Sequence, residues 1–361
     1  MTPGGSGAER RAVEAPLSVV RVGVVGLGLI GGSVARTLLE AGVDVVATDP
    51  AGATRAAAWD AGVRTVGSAA EVLVERPDVL VLAPPLAALP AVLDELAAEL
   101  PRLVADGGPV PVLTDVGSVK APVRAAVEAA GLGDRYVGAH PMAGTEESGF
   151  AASRDDLLPG CTWAVTVGPT TQASHLLRVL ALVTGPLRGA VRVVDDATHD
   201  AAVALVSHVP HAFATELLNL ATAAPARELA LGLAAGSFRD GTRVARTDAR
   251  RTQAMVAGNA DAVVVALRDA VSHLGALADA LERGDTAAVT AFFDAADPVR
   301  AALTRPTTTP SPDGGAADGD GTVTVGLGDP GWRERLAALG AAGAVVGHVR
   351  GGAITLTVPS A

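Results

Sequence analysis

The fold is decided by one stretch near the start of the chain, Val20-Arg21-Val22-Gly23-Val24-Val25-Gly26-Leu27-Gly28-Leu29-Ile30-Gly31. A β-branched strand ends at Val25, and a Gly-x-Gly-x-x-Gly motif follows it where a helical pattern begins. In this setting the first glycine permits a tight turn, the second lets the backbone approach a pyrophosphate, and the third lets helix and strand pack closely. The motif predicts a dinucleotide-binding turn, with an ordinary glycine turn as the alternative.

Asp49 closes the next predicted strand and lies 23 residues after Gly26. A carboxylate at this point can accept hydrogen bonds from the adenosine ribose and repels a 2′-phosphate, so the sequence favours NAD over NADP. Arg55 is a counter-signal because its guanidinium could pair with that phosphate, although a solvated helix position is the plainer interpretation. The predicted cofactor-binding residues are Gly26, Gly28, Leu29, Ile30, Gly31, Asp49 and Asp115.

The alternation of short apolar strands and helical patterns continues along the chain. Leucines recur at helical spacing between Leu86 and Leu100, and apolar strands flank them. Such alternation predicts a parallel, doubly wound α/β sheet of the Rossmann type over residues 19–195. Further strands are predicted at residues 79–83, 112–115, 136–138, 162–166 and 191–194.

The strand signals stop after Asp195, and residues 196–303 carry helical patterns with wide apolar faces. One small helical unit cannot bury such faces alone, so we predict an all-α domain that also forms a homodimer. Residues 1–18 predict a disordered arm and residues 304–321 a linker. Residues 322–361 predict a small βαββ tail that resembles part of an ACT-type regulatory module.

Composition excludes several classes of partner and location. The 361 residues include 39 acidic and 28 basic ones, and the net charge of −11 disfavours nucleic acid or an anionic membrane surface as the main partner. Cys161 is the only cysteine, which excludes a disulfide framework and a thiolate metal cluster. The N-terminus lacks a signal-peptide pattern and no uncharged apolar run is long enough to span a bilayer. We therefore expect a cytoplasmic protein without a membrane span.

Two polar segments follow later strands, at the edge where open α/β sheets hold their ligands. His140 lies in a run, residues 138–146, that we interpret as a loop, and Ser118 follows the strand that ends at Asp115. The two side chains are predicted to meet beside a nicotinamide. Imidazole can take a proton from a substrate hydroxyl while hydride leaves the same carbon, and the serine can orient the ring. The alternative for His140 is a histidine that closes a turn before Pro141.

The helical region contributes a histidine pair. His208 and His211 are three residues apart on one helix face, and Pro210 between them predicts a kink. Together with His199 they are candidate metal ligands by residue type. Their spacing matches no common metal motif, so we predict no metal, and satisfied helix histidines are the plainer interpretation.

A second helical segment, residues 237–245, places Arg239 and Arg243 on either side of Asp240. Arginine is the natural bidentate partner of a carboxylate, which predicts an anion-binding role. A surface ion-pair cluster is the alternative.

Five segments occur in an order that resembles the prephenate dehydrogenase family of tyrosine biosynthesis, across roughly residues 20–303. The first is common to many dehydrogenases, whereas the other four in this order are specific. The resemblance implies NAD-dependent oxidative decarboxylation of prephenate to 4-hydroxyphenylpyruvate, with the substrate held between an NAD-binding domain and a helical dimerisation domain. The segments are Gly-Leu-Gly-Leu-Ile-Gly-Gly-Ser (26–33), Asp-Val-Gly-Ser-Val-Lys (115–120), Gly-Ala-His-Pro-Met-Ala-Gly-Thr-Glu (138–146), Ser-His-Val-Pro-His (207–211) and Phe-Arg-Asp-Gly-Thr-Arg (238–243).

The resemblance also implies roles for individual residues. His140 would engage the ring hydroxyl of prephenate as a catalytic residue, with Ser118 beside it. Tyrosine is a candidate feedback ligand of such an enzyme. The residues with other implied roles are His211, Arg243, Ser207 and Thr145 for substrate binding, and Glu146 and Asp240 for gating.

Three rival functions stay open. Arogenate dehydrogenase shares the fold and the chemistry. A β-hydroxyacid dehydrogenase usually relies on a lysine in its second domain, whereas Lys120, the only lysine here, lies in the sheet domain. A catalytically inactive NAD-binding regulator is disfavoured because His140, Ser118, His211 and Arg243 occur together.

Overall fold

The computed structural model describes residues 19–304 and 321–359, which divide into two units. One unit comprises the chain up to Asp200 together with the C-terminal segment, and the other begins at Ala201. The predicted arm, residues 1–18, and nearly all of the predicted linker lie outside the described residues.

The first unit is built on a parallel sheet in the order β3-β2-β1-β4-β5. The order reverses direction between β1 and β4, the arrangement of a doubly wound sheet that binds ligands at the carboxyl ends of its strands. This confirms the predicted Rossmann-type fold. The strands are β1 (Arg21–Val25), β2 (Asp44–Thr48), β3 (Arg64–Thr65), β4 (Val79–Leu82) and β5 (Val112–Asp115), and the helices are α1 (Leu29–Glu40), α2 (Gly52–Asp60), α3 (Ala69–Val74), α4 (Leu89–Ala105) and α5 (Ala121–Ala129).

The core lies on both faces of this sheet, and every residue of the inner strand β4 is buried. Val22 and Val24 pack on one face, while Val25, Leu80 and Leu82 pack on the other. Continuous apolar strands of this kind are typical of parallel sheets covered by helices on both sides. Each fully buried valine or leucine contributes about 1.5–3 kcal/mol of hydrophobic free energy.

A second sheet extends the first through an isolated parallel bridge between Leu113 and Tyr136. Its strands are β6 (Gly138–Pro141), β7 (Thr162–Thr166) and β8 (Ala190–Val194), with α6 (Ala173–Thr184) between the last two. β6 pairs antiparallel with β7, and β7 pairs parallel with β8. The interpretation of residues 138–146 as a loop was therefore wrong at His140, which lies within β6 opposite Ala164.

The second unit is helical, and a π-helical segment, Ala204–His208, precedes the helix that contains Pro210. Pro210 lies in the first turn of that helix, directly after the π-helical turn, and the kink predicted there stays a prediction. The helices of this region, one of which starts in the first unit, are α7 (Asp196–Val203), α8 (Val209–Ala223), α9 (Arg227–Gly232), α10 (Gly236–Gly241), α11 (Ala249–Gly258), α12 (Ala260–Glu282), α13 (Thr286–Asp294) and α14 (Asp297–Thr304).

Many large apolar side chains of these helices are exposed. The run Asp196–Ala223 is long and apolar enough to cross a membrane by length and composition, and 28% of its most apolar stretch is buried. Wide exposed apolar faces also match what the sequence predicts for a dimerising unit. The exposed residues include Leu205, Val206, Leu220, Leu229, Leu233, Val265, Val271 and Leu274.

The C-terminal segment folds as predicted into a small βαββ module within the first unit. β9 (Gly321–Gly326), β10 (Val345–Arg350) and β11 (Ala353–Val358) form an antiparallel sheet in the order β10-β11-β9, and α15 (Trp332–Ala341) packs against β8. Glycine is required at Gly340 because a Cβ there would clash with the backbone of Val193.

Candidate active site

The glycine turn between β1 and α1 has the geometry that a dinucleotide needs. Gly26 adopts a φ of +97°, and a Cβ there would lie 2.6 Å from the carbonyl oxygen of Ala83. A Cβ at Gly31 would clash with the backbone of Gly26, whereas a Cβ at Gly28 would point into open space. Gly28 is also the N-cap of α1, so no capping side chain covers the helix N-terminus. A pyrophosphate can therefore approach the backbone here.

Asp49 stands at the end of β2 and is tied to this turn. Its carboxylate accepts hydrogen bonds from the backbone N–H of Leu27 at 3.0 Å and of Ala51 at 2.9 Å. Arg55 is half-buried and donates to the backbone carbonyl oxygens of Asp49 and Pro50. These contacts tie the guanidinium to the backbone, and both interpretations of Arg55, a solvated helix position and a partner for a 2′-phosphate, stay predictions. Both residues lie beside the turn, where the adenosine ribose of a bound dinucleotide is held.

Asp115 is buried in a polar network between β5 and β6. Its Oδ2 accepts from the ammonium of Lys120 and from the backbone N–H of Gly117, and its Oδ1 accepts from the hydroxyl of Tyr136 at 2.8 Å. Asp115 was predicted to bind the cofactor; its side chain is only 3% exposed and is occupied by these partners, and the prediction itself stays untested. We therefore expect Asp115 to shape the turn that carries Ser118.

Lys120 is completely buried and also donates to the carbonyl oxygen of Ala139 at 2.9 Å. Burial lowers the pKa of its ammonium, and the neighbouring Asp115 opposes that shift. Burial and the same carboxylate raise the pKa of Tyr136 well above its ordinary value. This network joins the end of β5 to the residue that precedes His140.

His140 is half-buried on β6 and contacts a second histidine. Its Nδ1 lies 2.9 Å from Nε2 of His199, and the two rings meet edge to face with centroids 5.2 Å apart. His199 is 3% exposed, and its Nδ1 lies 2.8 Å from Oδ1 of Asp200. Ser118 is half-buried in the turn after β5, at the same sheet edge as His140. The predicted pairing of Ser118 with His140 stays a prediction.

Asp200 is held by the start of α5. Its Oδ1 accepts from the backbone N–H of Lys120 at 2.7 Å and its Oδ2 from that of Ala121 at 2.9 Å. Burial alone would raise the pKa of Asp200, but the hydrogen bonds from His199, Ala121 and Lys120 outweigh burial and lower it. The carboxylate is therefore held ionised beside His199.

Sequence reasoning missed this arrangement because it weighed His199 only as a metal ligand. Among the described residues no cluster of three metal-ligating side chains occurs. The adjacent pair His199-Asp200 at the start of a helix was the signal available in the sequence.

The loop after His140 carries two predicted site residues. Thr145 is half-buried, and its hydroxyl accepts from the backbone N–H of Glu147 at 3.3 Å. Glu146 is exposed. Their roles in substrate binding and gating stay predictions.

In the second unit, Ser207 and His211 lie on either side of the end of the π-helical segment. Nδ1 of His211 donates to the carbonyl oxygen of Ser207 at 2.8 Å, which leaves the lone pair of the neutral ring on Nε2. The hydroxyl of Ser207 lies 3.9 Å from the sulfur of Met255. His208 is completely buried, and its Nδ1 lies 3.1 Å from Nδ2 of Asn259. His208 is therefore a core histidine, as the plainer interpretation had it.

Arg243 is exposed just after α10, at the start of a 3₁₀ turn. Asp240 and Arg239 are exposed on α10, which ends at Gly241. Within the described part of the chain, no ion pair joins Asp240 to either arginine. The structure therefore does not support the alternative that these three residues form a surface ion-pair cluster.

The Rossmann-type sheet, the glycine turn with Asp49 and a histidine at the carboxyl edge define the chain as an NAD-dependent dehydrogenase with a helical second domain. The nucleotide-binding domain of prephenate dehydrogenase matches residues 34–192, and the dimerization domain of prephenate dehydrogenase matches residues 195–295. The chain belongs to the prephenate dehydrogenase family.

Relatives of known name agree with this assignment. A prephenate dehydrogenase of Lactococcus lactis is 28% identical over 292 residues, which cover 78% of this chain and 76% of the relative. A crystal structure from Corynebacterium glutamicum, described as a candidate prephenate dehydrogenase, is 31% identical with a TM-score of 0.75 and covers 91% of this chain and 99% of its own. Prephenate dehydrogenase of Aquifex aeolicus, solved with hydroxyphenyl propionate and NAD⁺, is 27% identical with a TM-score of 0.71 and covers 80% of this chain and 100% of its own.

Family membership accounts for two features of the chain. NAD is the cofactor of this family, as the sequence predicted, and the glycine turn and Asp49 stay its predicted binding residues. The dimerization domain explains why the helices of the second unit expose wide apolar faces, and it supports the predicted homodimer.

Proposed function

We propose that the chain is a prephenate dehydrogenase, which converts prephenate and NAD⁺ to 4-hydroxyphenylpyruvate, CO₂ and NADH. The observation that carries this proposal is the position of His140, at the carboxyl edge of the sheet and hydrogen-bonded to His199. The names of the relatives in Lactococcus lactis and Aquifex aeolicus support the same substrate.

His140 handles the proton of the ring hydroxyl in this reaction. Its imidazole takes the proton as hydride leaves the ring carbon, and returns it to the phenolate oxygen once the ring carboxylate has departed as CO₂. Ser118 stands at the same edge and donates a second hydrogen bond to that oxygen. Bound NAD supplies the hydride acceptor. Aromatisation of the ring drives decarboxylation, so the protein contributes orientation and charge placement.

The second unit supplies positive charge for the substrate. Prephenate carries two carboxylates, and the net charge of −11 makes a local basic group necessary for binding it. Arg243 is exposed and unpaired with Asp240, so its guanidinium is available for a bidentate carboxylate contact. His211, Ser207 and Thr145 add hydrogen bonds to the substrate, and Glu146 with Asp240 gates its entry.

NADH absorbance in the presence of prephenate and NAD⁺ tests the proposal directly. We expect turnover with prephenate, and weaker turnover when NADP replaces NAD. Turnover on arogenate alone would contradict the proposal and make the chain an arogenate dehydrogenase. No turnover on either substrate would make it an inactive NAD-binding regulator.

Two finer properties complete the proposal. Tyrosine shares the hydroxyphenyl ring of the product, so we expect it to inhibit by competing with prephenate; unchanged rates at high tyrosine would contradict this.

The enzyme works in the cytoplasm, with the apolar helix Asp196–Ala223 packed in the dimer. Recovery in the membrane fraction after cell lysis would contradict that location.

A further inference from the structure

The tautomer of a neutral His199 ring follows from its carboxylate partner. Asp200 accepts two backbone hydrogen bonds at the start of α5, where the positive end of the helix dipole favours an ionised carboxylate. An ionised carboxylate can only accept, so the ring nitrogen 2.8 Å from its Oδ1 must donate. Nδ1 of His199 therefore carries a proton.

The tautomer of His199 in turn determines that of His140. A neutral His199 with its proton on Nδ1 has its lone pair on Nε2. This Nε2 lies 2.9 Å from Nδ1 of His140, so Nδ1 of His140 donates to it. The lone pair of a neutral His140 then resides on Nε2, the nitrogen on the far side of the ring.

We propose that His199, oriented by Asp200, is a positioning residue that holds His140 in the tautomer with its basic nitrogen at Nε2. This inference rests on the proposed role of His140 in proton transfer. When His140 takes the substrate proton at Nε2, its Nδ1–H continues to donate to His199, and the carboxylate of Asp200 stabilises the positive charge through the intervening ring. In a hydrolase triad a carboxylate fixes the tautomer of the catalytic histidine directly. Here Asp200 would act on His140 in the same way, but through the imidazole of His199.

Burial of this pair argues for a role beyond packing. His199 is 3% exposed and Asp200 is 6% exposed, and removing such polar groups from water costs free energy that apolar residues of similar volume avoid. Asp200 also caps α5, so its replacement would disturb that helix. His199 is therefore the position at which the proposal can be tested most cleanly.

Three replacements of His199 separate its two hydrogen bonds. His199→Gln can place an amide oxygen where Nε2 lies, and so keep the acceptor for His140. His199→Asn can place an N–H where Nδ1 lies, and so keep the bond to Asp200 while losing the one to His140. His199→Phe keeps the ring volume and loses both bonds.

Steady-state kinetics with prephenate and NAD⁺ distinguish positioning from packing. We expect His199→Asn and His199→Phe to lower kcat about 10–100-fold with KM for prephenate changed less than about threefold, while His199→Gln keeps most of the wild-type kcat. Equal kcat in the wild type and His199→Asn would overturn the inference. Loss of kcat in His199→Gln equal to that in His199→Phe would also overturn it.

Nitrogen-15 NMR of the histidine rings gives a second readout that does not depend on turnover or on any variant at His199. The chain has seven histidines, and the His140 signals are assigned by their loss in His140→Asn. We expect the neutral His140 ring of the wild-type protein to carry its proton on Nδ1; a proton on Nε2 would overturn the inference. A proton on Nδ1 in a protein that fails to turn over prephenate would instead support the inference and contradict the proposed function.

Discussion

The guanidinium of Arg55 donates a hydrogen bond to the backbone carbonyl oxygen of Asp49, 2.6 Å away. Asp49, which repels a 2′-phosphate, therefore lies beside Arg55, which could bind one, at the end of β2. Because a main-chain oxygen holds Arg55, its position does not depend on the charge of the Asp49 side chain. We therefore expect the preference for NAD over NADP to depend on the carboxylate of Asp49 alone.

Asp49→Asn should therefore relax the preference for NAD. The amide keeps one acceptor for the glycine turn but loses the negative charge, and we expect NADPH to bind about tenfold more tightly or better, since charge repulsion near a protein surface is of this size. Titrations of protein fluorescence with NADH and NADPH measure both Kd values. Asp49→Asn combined with Arg55→Ala is the control and should lose the gain; an unchanged Kd for NADPH in Asp49→Asn would contradict the account.

Arg243→Ala should chiefly weaken substrate binding. Loss of a charge-assisted hydrogen bond to a substrate carboxylate should raise KM for prephenate about 10–100-fold, with a smaller change in kcat. Arg239→Ala is the matched control, because it removes a neighbouring exposed arginine, and its KM should stay near that of the wild type. Equal KM values in Arg243→Ala and the wild type would show that Arg243 is a surface residue with no role in substrate binding.

Lys120→Met should destabilise the first unit. The substitution leaves the buried carboxylate of Asp115 without its cation, and breaking one side of a buried ion pair costs about 3–5 kcal/mol. The free energy of unfolding in urea measures the loss. Lys120→Met combined with Asp115→Asn should recover part of it because no charge is then left buried, and a loss below about 1 kcal/mol in Lys120→Met would contradict the buried pair.

Asp200 should make the free energy of unfolding depend on pH in the acidic range. Because its pKa in the folded protein is lowered from 3.8, the ionised carboxylate stabilises the fold above the unfolded pKa, and this contribution is lost as pH falls through the folded value. The free energy of unfolding of the wild type should exceed that of Asp200→Asn by the same amount at any pH above about 5, and the difference should shrink below about pH 4. A difference independent of pH would show that the carboxylate gains nothing from its hydrogen bonds.

Most of the fold could be predicted because its signals are local. The glycine motif after β1, the apolar runs of the strands and the small C-terminal module each specify an element within a few residues of chain. The end of β6 could not be predicted, because His140 and Pro141 are extended only through antiparallel pairing with β7, whose register depends on residues more than twenty positions away.

The sequence motifs name candidate site residues one by one but not the network of contacts that joins them. Nothing local shows that Lys120 turns inward and occupies the carboxylate of Asp115. The contact between His140 and His199 spans 59 residues and exists only because α7 begins beside the carboxyl edge of the sheet. Sequence motifs therefore make His140 a candidate, whereas its contact with His199 is visible only in the folded chain.

The central claim is that His140 moves the substrate proton, and kinetics of His140→Asn test it most directly. NADH formation from prephenate and NAD⁺ gives kcat, and fluorescence titration gives the Kd for NADH. The account predicts that kcat falls at least about 100-fold while this Kd changes less than about twofold, because proton transfer by a positioned side chain contributes about 10²–10⁴ in rate. A kcat equal to that of the wild type would remove His140 from the mechanism and contradict the account.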